Sequence, residues 1–406
     1  MKIKHSLIAA AILSTASLSA SAAPSYNLVD LGVLQGGDFS YAYDISNTGL
    51  IVGRSRGRYP TGPDTDARGT THSARFTYDG SYVQDLGSLG GSRGGQAEAV
   101  NDSGMAAGFS HTGEDANGQR IYKAYVNHYL TGYTQELGTL GEGRDSRAYG
   151  INNNGKVVGW SNTLADGSDH KAFVYDTATN SMEALQGPIL GGARSFAFDI
   201  NDSDQVVGTA TTVNGSANAF IYNDGVTTNL GSLDNSGYSE ARGINESGQV
   251  TGFSLDSDKN YTAFIYDEVN GMQSLGGMGG DSEGYDINNN GDVVGKAITD
   301  EGRSAAFLYS NGAMYNLYSL LSAEDQALWQ ELREGYGIND NGDIVGRGRF
   351  WTDKEAGRSM SKAFLLTADG SISAVPVPAA IFLMGPALGL LGFIICRLQP
   401  YLMIYR

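Results

Sequence analysis

The stretch Gly150-Ile151-Asn152-Asn153-Asn154-Gly155-Lys156-Val157-Val158-Gly159 decides how this chain is read. A branched residue leads into a run of Asn and Gly, and two valines lead out to a glycine. Branched residues favour an extended backbone, and Asn and Gly reach positive φ at little cost, so the decapeptide reads as a tight hairpin. It recurs six more times: DISNTGLIVG ending at Gly53, AVNDSGMAAG at Gly108, DINDSDQVVG at Gly208, GINESGQVTG at Gly252, DINNNGDVVG at Gly295 and GINDNGDIVG at Gly346. Asn-Gly itself stands in three copies, at Asn154-Gly155, Asn290-Gly291 and Asn341-Gly342. Self-similarity at intervals of 43 to 55 residues is the mark of a repeat architecture.

Two further markers keep phase with the hairpin. Upstream of each copy stands an L-G-like turn, as at Leu137-Gly138 and Leu275-Gly276, and downstream an Ala-aromatic strand such as Ala172 to Tyr175. One unit therefore holds two hairpins, hence four short strands, which is the size of a propeller blade. A lone four-stranded unit cannot bury both faces, so neighbours must stack. The repeat region opens mid-unit with the strand YNLVD (26–30) and finishes mid-unit with KAFLL (362–366), each a fragment of a unit. Shared between the two ends, one sheet would close the array and leave no sticky edges. The expectation is an all-β, seven-bladed propeller over residues 24–374, preferred to an open solenoid because no polar capping repeat is seen.

Composition bounds the function. The 406 residues include 57 Gly but only 8 Pro, and 23 Tyr with 14 Phe supply core material. A net charge of −17 repels phosphate backbones, so nucleic acid is not expected as a partner. The two ends are targeting signals. Lys2 and Lys4, the apolar run Leu7 to Leu18 and the small residues Ala20-Ser21-Ala22 read as a signal peptide, 1–22, for signal peptidase. Residues 377–395 carry no charge, are long enough to cross a bilayer as a transmembrane helix, and are followed by Arg397. Cys396 is the sole cysteine, so no internal disulfide holds the fold.

The repeat, with His72-Ser73-Ala74-Arg75-Phe76 and His170-Lys171-Ala172-Phe173 as its fullest strands, resembles the bacterial extracellular HAF-repeat family over about residues 26–370. The tail 375–406 opens Val375-Pro376-Val377-Pro378-Ala379-Ala380 and resembles the PEP-CTERM sorting signals in their V-P-x-P-A-A variant. It departs from them by having Arg397 followed by nine more residues instead of a tight basic cluster. Together the resemblances imply export, membrane anchoring through the C-terminal helix at least until an exosortase-type enzyme cleaves it, and delivery to the cell surface or exopolysaccharide matrix. They imply no reaction.

Catalytic signals are poor. G-x-S-x-G occurs around Ser92 and Ser282, but both lie in Gly-rich turns followed by strands, whereas a nucleophile elbow needs a following helix. His72, His111, His128 and His170 show no metal-site spacing, so no cofactor is expected. Acidic turns such as Asn339 to Asp343 leave calcium open, although hairpin chemistry already accounts for their residues. Binding is expected on the connections after the V-V-G strand, which vary most; Arg54, Arg56, Asp64, Asp66, Asp115, Arg120, Arg347 and Trp351 stand in or beside them. In the terminal copy, SAEDQALWQEL (322–332) reads as a short helix capped by Ser322. The leading function is a structural or interaction role with possible carbohydrate contact. A carbohydrate-active or other hydrolytic enzyme is the alternative, and a ligand sensor the third; an enzyme would need carboxylates converging in the central channel, where no acidic cluster outside the repeat can be placed.

Overall fold

The computed structural model describes residues 24–57, 70–76, 80–87, 89, 94–128, 131–187, 189–235 and 237–368. The signal peptide, the sorting tail with its 377–395 span, and Asp64 and Asp66 lie outside them. No helix among the described residues is long and apolar enough to cross a membrane.

Each copy of the decapeptide forms the two innermost strands of one four-stranded antiparallel sheet. In the third, Ser146–Ile151 pairs with Lys156–Ser161, then come Lys171–Asp176 and Ser181–Ala184. The described residues make seven such sheets. Their inner strands, in chain order, are Ser40–Ile45, Gly95–Val100, Ser146–Ile151, Gly191–Ile200, Ser239–Ile244, Gly279–Ile287 and Trp329–Ile338. The last sheet is composite. Tyr26–Asp30 pairs antiparallel with Arg358–Ala368, Leu28 opposite Leu366, so the two ends of the described chain share one sheet.

The cores lie between sheets rather than within them. One cluster joins Ala107, Val126 and Leu137 of the second sheet and its outgoing turn to Ala148, Val157 and Phe173 of the third. Another joins Val345, Ala363 and Leu365 of the seventh to Ala42, Ile51 and Phe76 of the first, which completes the circle. The Ala-aromatic strand is therefore the packing element of each sheet. Phe173, Phe220, Phe264, Phe307 and Phe364 are fully buried, and each such ring contributes about 1.5–3 kcal/mol by leaving water.

The turn differs in detail from the expected one. Gly155 N–H donates to Asn152 O at 3.1 Å and Gly155 alone of the Asn-Gly pair has positive φ, +77°. This is the longer hairpin loop, a type I turn ending in one left-handed residue. Asp204 takes that conformation in the copy without the glycine, with φ 63°. The helix α1 is shorter than the insert: it spans Ala323–Leu328, Ser322 Oγ accepts from Asp325 N–H at 3.1 Å, and Trp329 already begins the inner strand. Trp329 is pulled out of the helix because its ring is buried against Phe364 and Phe350.

The first Asn of each turn ties neighbouring sheets together. Asn152 Oδ1 accepts from Lys156 N–H at 2.9 Å, closing its own turn, while its Nδ2 donates to Asn201 O of the next sheet at 3.0 Å. The same link runs from Asn101 to Asn152, Asn201 to Asn245, Asn245 to Asn288, Asn288 to Asn339 and Asn339 to Ser46. Only Ser46 lacks an amide to reach Asn101. Ser46→Asn is thus expected to add the seventh donor and stabilise the ring by about 1 kcal/mol. A urea midpoint at or below that of the parent would contradict this.

Candidate functional site

Ala42 and Ile45 share one inter-sheet core although they are three residues apart, a separation that strict alternation cannot give. The pairing shows why. Ala42 faces Gly53 and Asp44 faces Val52, leaving Tyr43 as the extra residue of a β-bulge. The same shift falls in every inner strand. Two consecutive residues per sheet are thereby turned away from the core and toward the axis. Tyr43, Glu98, Tyr149, Phe198, Arg242, Tyr285 and Tyr336 form one layer of the channel; Asp44, Asp199 and Asp286, alternating with small residues, form the next.

The aspartate layer is a set of staples. Asp44 accepts from Ile45 N–H and, across the sheet boundary, from Val100 N–H, both at 2.7 Å. Asp199 does so with Ile200 and Ile244 at 2.8 and 2.9 Å, and Asp286 with Ile287 and Ile338 at 2.7 and 2.8 Å. Small neighbours let them fit: a Cβ on Gly337 would stand 3.1 Å from Asp44 Cα. Burial pushes the Asp44 carboxyl up to about 7 and Asp286 to about 6, and holds Asp199 well above the usual range; the Asp286 charge adds to Asp44 and Asp199, and the backbone donors pull all three back. Three converging carboxylates correct the expectation that no acidic cluster reaches the channel.

Beyond them the channel opens at the turn face through a second ring. The backbone N–H of Asn47, Asp102, Asn153, Asp202, Glu246, Asn289 and Asp340 each donates to the side-chain oxygen of the next member at 2.7–3.0 Å. This mouth is acidic and its cavity measures about 160 Å³. Among the described residues no group of three or more His, Cys, Asp or Glu is placed to hold a metal. In the Asn339 to Asp343 turn, Asn339 Oδ1 is occupied by Asn341 and Asp343 N–H.

The opposite end is different in kind. A cavity of about 400 Å³ is lined by Tyr43, Tyr149, Phe198, Tyr285 and Tyr336 together with Gln96, Glu98, Arg147, Arg242, Glu283 and Phe109. Tyr285 and Tyr336 stack at 5.6 Å and Tyr43 meets Tyr336 edge-on at 5.1 Å. Tyr285 donates to Glu283 at 2.9 Å, and Tyr336 to Glu334. Glu98 is raised by burial, while the Gln96 amide and the guanidinium groups of Arg54, Arg147 and Arg242 pull it down. Side chains of this mixture can hold a polar ring by its face and its edge.

The residues singled out from sequence do not share one loop-bearing face. Arg54 and Arg347 belong to strands beside the channel: Arg54 lies 4.6 Å over Tyr41, and Arg347 donates to the Tyr41 hydroxyl at 3.0 Å and pairs with Glu334. Arg56 pairs with Asp38 at 2.9 Å, and Asp115 caps its own turn and meets Arg144 at 3.4 Å. Arg120 is exposed at a strand start and Trp351 half-buried within one. Ser282 is structural: its Oγ accepts from Ala263 N–H at 2.9 Å and donates to Gly276 O at 2.5 Å; Ser92 lies outside the described residues. The channel residues were missed because the bulge that aims them leaves no mark in a two-residue alternation.

Comparison with known proteins bears on the fold. The chain is similar to the β-propeller domain of the Trilobed protease from Pyrococcus furiosus, described as having an open velcro topology, with TM-score 0.55, 12% identity, and 82% of this chain and 94% of that one covered. Acylaminoacyl peptidase from Pyrococcus horikoshii matches at TM-score 0.47 and 12% identity, over 80% of this chain and 51% of that one. TolB from Acinetobacter baumannii matches at TM-score 0.43 and 17% identity, over 67% and 61%. At 12% identity the likeness to the first of these concerns architecture alone, a β-propeller. No curated protein matches the sequence. The model of a family described as protein of unknown function (DUF3466) matches residues 2–83, 92–233 and 227–387, and the chain belongs to that family.

Proposed function

We propose that this is an exported binding module, a closed propeller of seven sheets that presents the aromatic end of its channel to carbohydrate at the cell surface or in the exopolysaccharide matrix. The HAF-like repeat and the PEP-CTERM-like tail support the location, with signal peptidase and an exosortase-type enzyme as its processing partners. One observation carries the binding role: a cavity on the ring axis joins six aromatic rings to amide, carboxylate and guanidinium groups. Aromatic faces take the apolar face of a sugar and the polar groups take its hydroxyls. Binding of the full chain to a glycan array, weakened about tenfold or more by Tyr285→Ala, is the expected result. An array on which the full chain binds nothing would end this reading.

A hydrolase remains the second reading, and one observation favours it. Glu98 and Glu283 line the same cavity, and burial raises the first, as a general acid requires. The aspartate staples are less suited to that work, since each has both oxygens engaged by backbone donors. Release of reducing ends that Glu98→Gln abolishes would favour this reading over simple binding.

A further inference from the structure

Charge at the aromatic end runs against the charge of the chain. Around that cavity stand Arg54, Arg147, Arg242, Lys296 and Arg347, against Glu98, Glu240, Glu283 and Glu334. In the cavity lining itself Arg147 and Arg242 match Glu98 and Glu283 in number, in a protein of net charge −17. Most of the cations are spoken for. Arg347 pairs with Glu334, Arg242 with Glu240, and Lys296 with Glu283 at 3.5 Å.

Arg147 is not. Its guanidinium carbon lies 4.5 Å from the Phe109 ring centre, 4.9 Å from Tyr122 and 5.4 Å from Trp160. It hydrogen-bonds the Tyr149 side chain, makes no ion pair among the described residues, and its buried Nε has no partner. The Nε atoms of Arg54 and Arg242 are likewise buried without partners. A guanidinium packed among ring faces keeps N–H groups for a planar acceptor, and a carboxylate matches that fork in two parallel hydrogen bonds. Leaving such a charge unmatched beside the cavity is costly, so an incoming anion removes a penalty as well as adding contacts.

Resting on the carbohydrate reading above, we infer that the channel takes a carboxylate-bearing sugar, a uronic acid unit, with its acid group on Arg147 and its ring among Tyr149, Phe198 and Tyr285. Glu98 and Gln96 accept and donate to its hydroxyls. The ligand enters from the aromatic end, because the mouth at the turn face is ringed by Asp102, Asp202, Glu246 and Asp340 and repels an anion. Neutral sugars have no group for the Arg147 fork.

Calorimetric titration of the full chain with glucuronate and galacturonate, beside glucose and galactose, tests this. Each uronate is expected to bind about tenfold or more tightly than its neutral counterpart, less so in 0.5 M salt. Arg147→Gln is expected to erase the preference, weakening uronate binding about tenfold or more relative to neutral sugar, and Arg147→Lys to restore part of it. Equal affinity for uronate and neutral sugar overturns the inference and leaves the carbohydrate reading standing. Acetate binding as tightly as either uronate overturns it too. Failure of all four sugars to bind overturns the inference, and the glycan array then decides the carbohydrate reading separately. The comparison on the unaltered chain decides the matter even if Arg147→Gln does not fold.

Discussion

Gly159→Ala is expected to destabilise the propeller by about 4 kcal/mol or more. Gly159 lies within the strand Lys156–Ser161, as the last residue of its V-V-G triplet, and stands opposite Ala148, just where the inner strand bulges. A Cβ there would fall 1.9 Å from Arg147 O and 2.9 Å from Ala148 Cα. Both obstacles are backbone, held in the strand ladder, so no side-chain rotation relieves the clash. The six equivalent glycines are as crowded, each within 1.9–2.1 Å of a carbonyl oxygen. A sheet whose inner pair is forced apart withdraws the packing face that its neighbours need, so damage spreads beyond the mutated unit. Gly113→Ala makes the control, because nothing lies within 4 Å of its Cβ position. Urea unfolding followed by circular dichroism should separate the two variants widely. Equal midpoints would show that the bulge can give way and that the glycine has another purpose.

The second large effect concerns pH. Asp44, Asp199 and Asp286 hold protons in the folded ring that the unfolded chain releases near pH 4. Wherever the folded state binds more protons than the unfolded one, stability falls as pH rises. Their contribution is therefore unpenalised near pH 4 and lost progressively toward pH 7, by a few kcal/mol in all. Glu98 and Glu246, also raised by burial, act in the same direction. Glu334, held low with Arg347 and Tyr336 beside it, has its effect below this window, and His170, pushed down by burial, opposes within it. The urea midpoint is expected to be higher at pH 5.5 than at pH 8.0. Asp286→Asn should flatten that slope whatever it does to absolute stability. A midpoint that climbs steadily with pH would mean the staples are worth more as carboxylates than their burial costs.

Much of the architecture could be read before any coordinates. Asn152 to Gly155 announced a hairpin turn, and Ala172-Phe173 announced a strand that packs. YNLVD and KAFLL were legible as halves of one sheet, and they pair. Less was legible about the site. Variation in length singles out the connections after the V-V-G strands, yet Arg54 and Arg347 lie in strands beside the channel and Arg56 and Asp115 are engaged in local pairs. Arg147, Arg242 and Glu98 carry no local signal, since along the chain each is one charged residue in a strand of otherwise ordinary composition.

The repeat, the strand-turn-strand units and the need of each unit for a neighbour are written in the chain, because they follow from local backbone preference and from apolar faces too large to leave in water. Tertiary structure alone decided which side chains meet on the axis. A one-residue bulge per sheet reverses the side on which two neighbouring residues fall, and residues some fifty positions apart converge only when the ring closes.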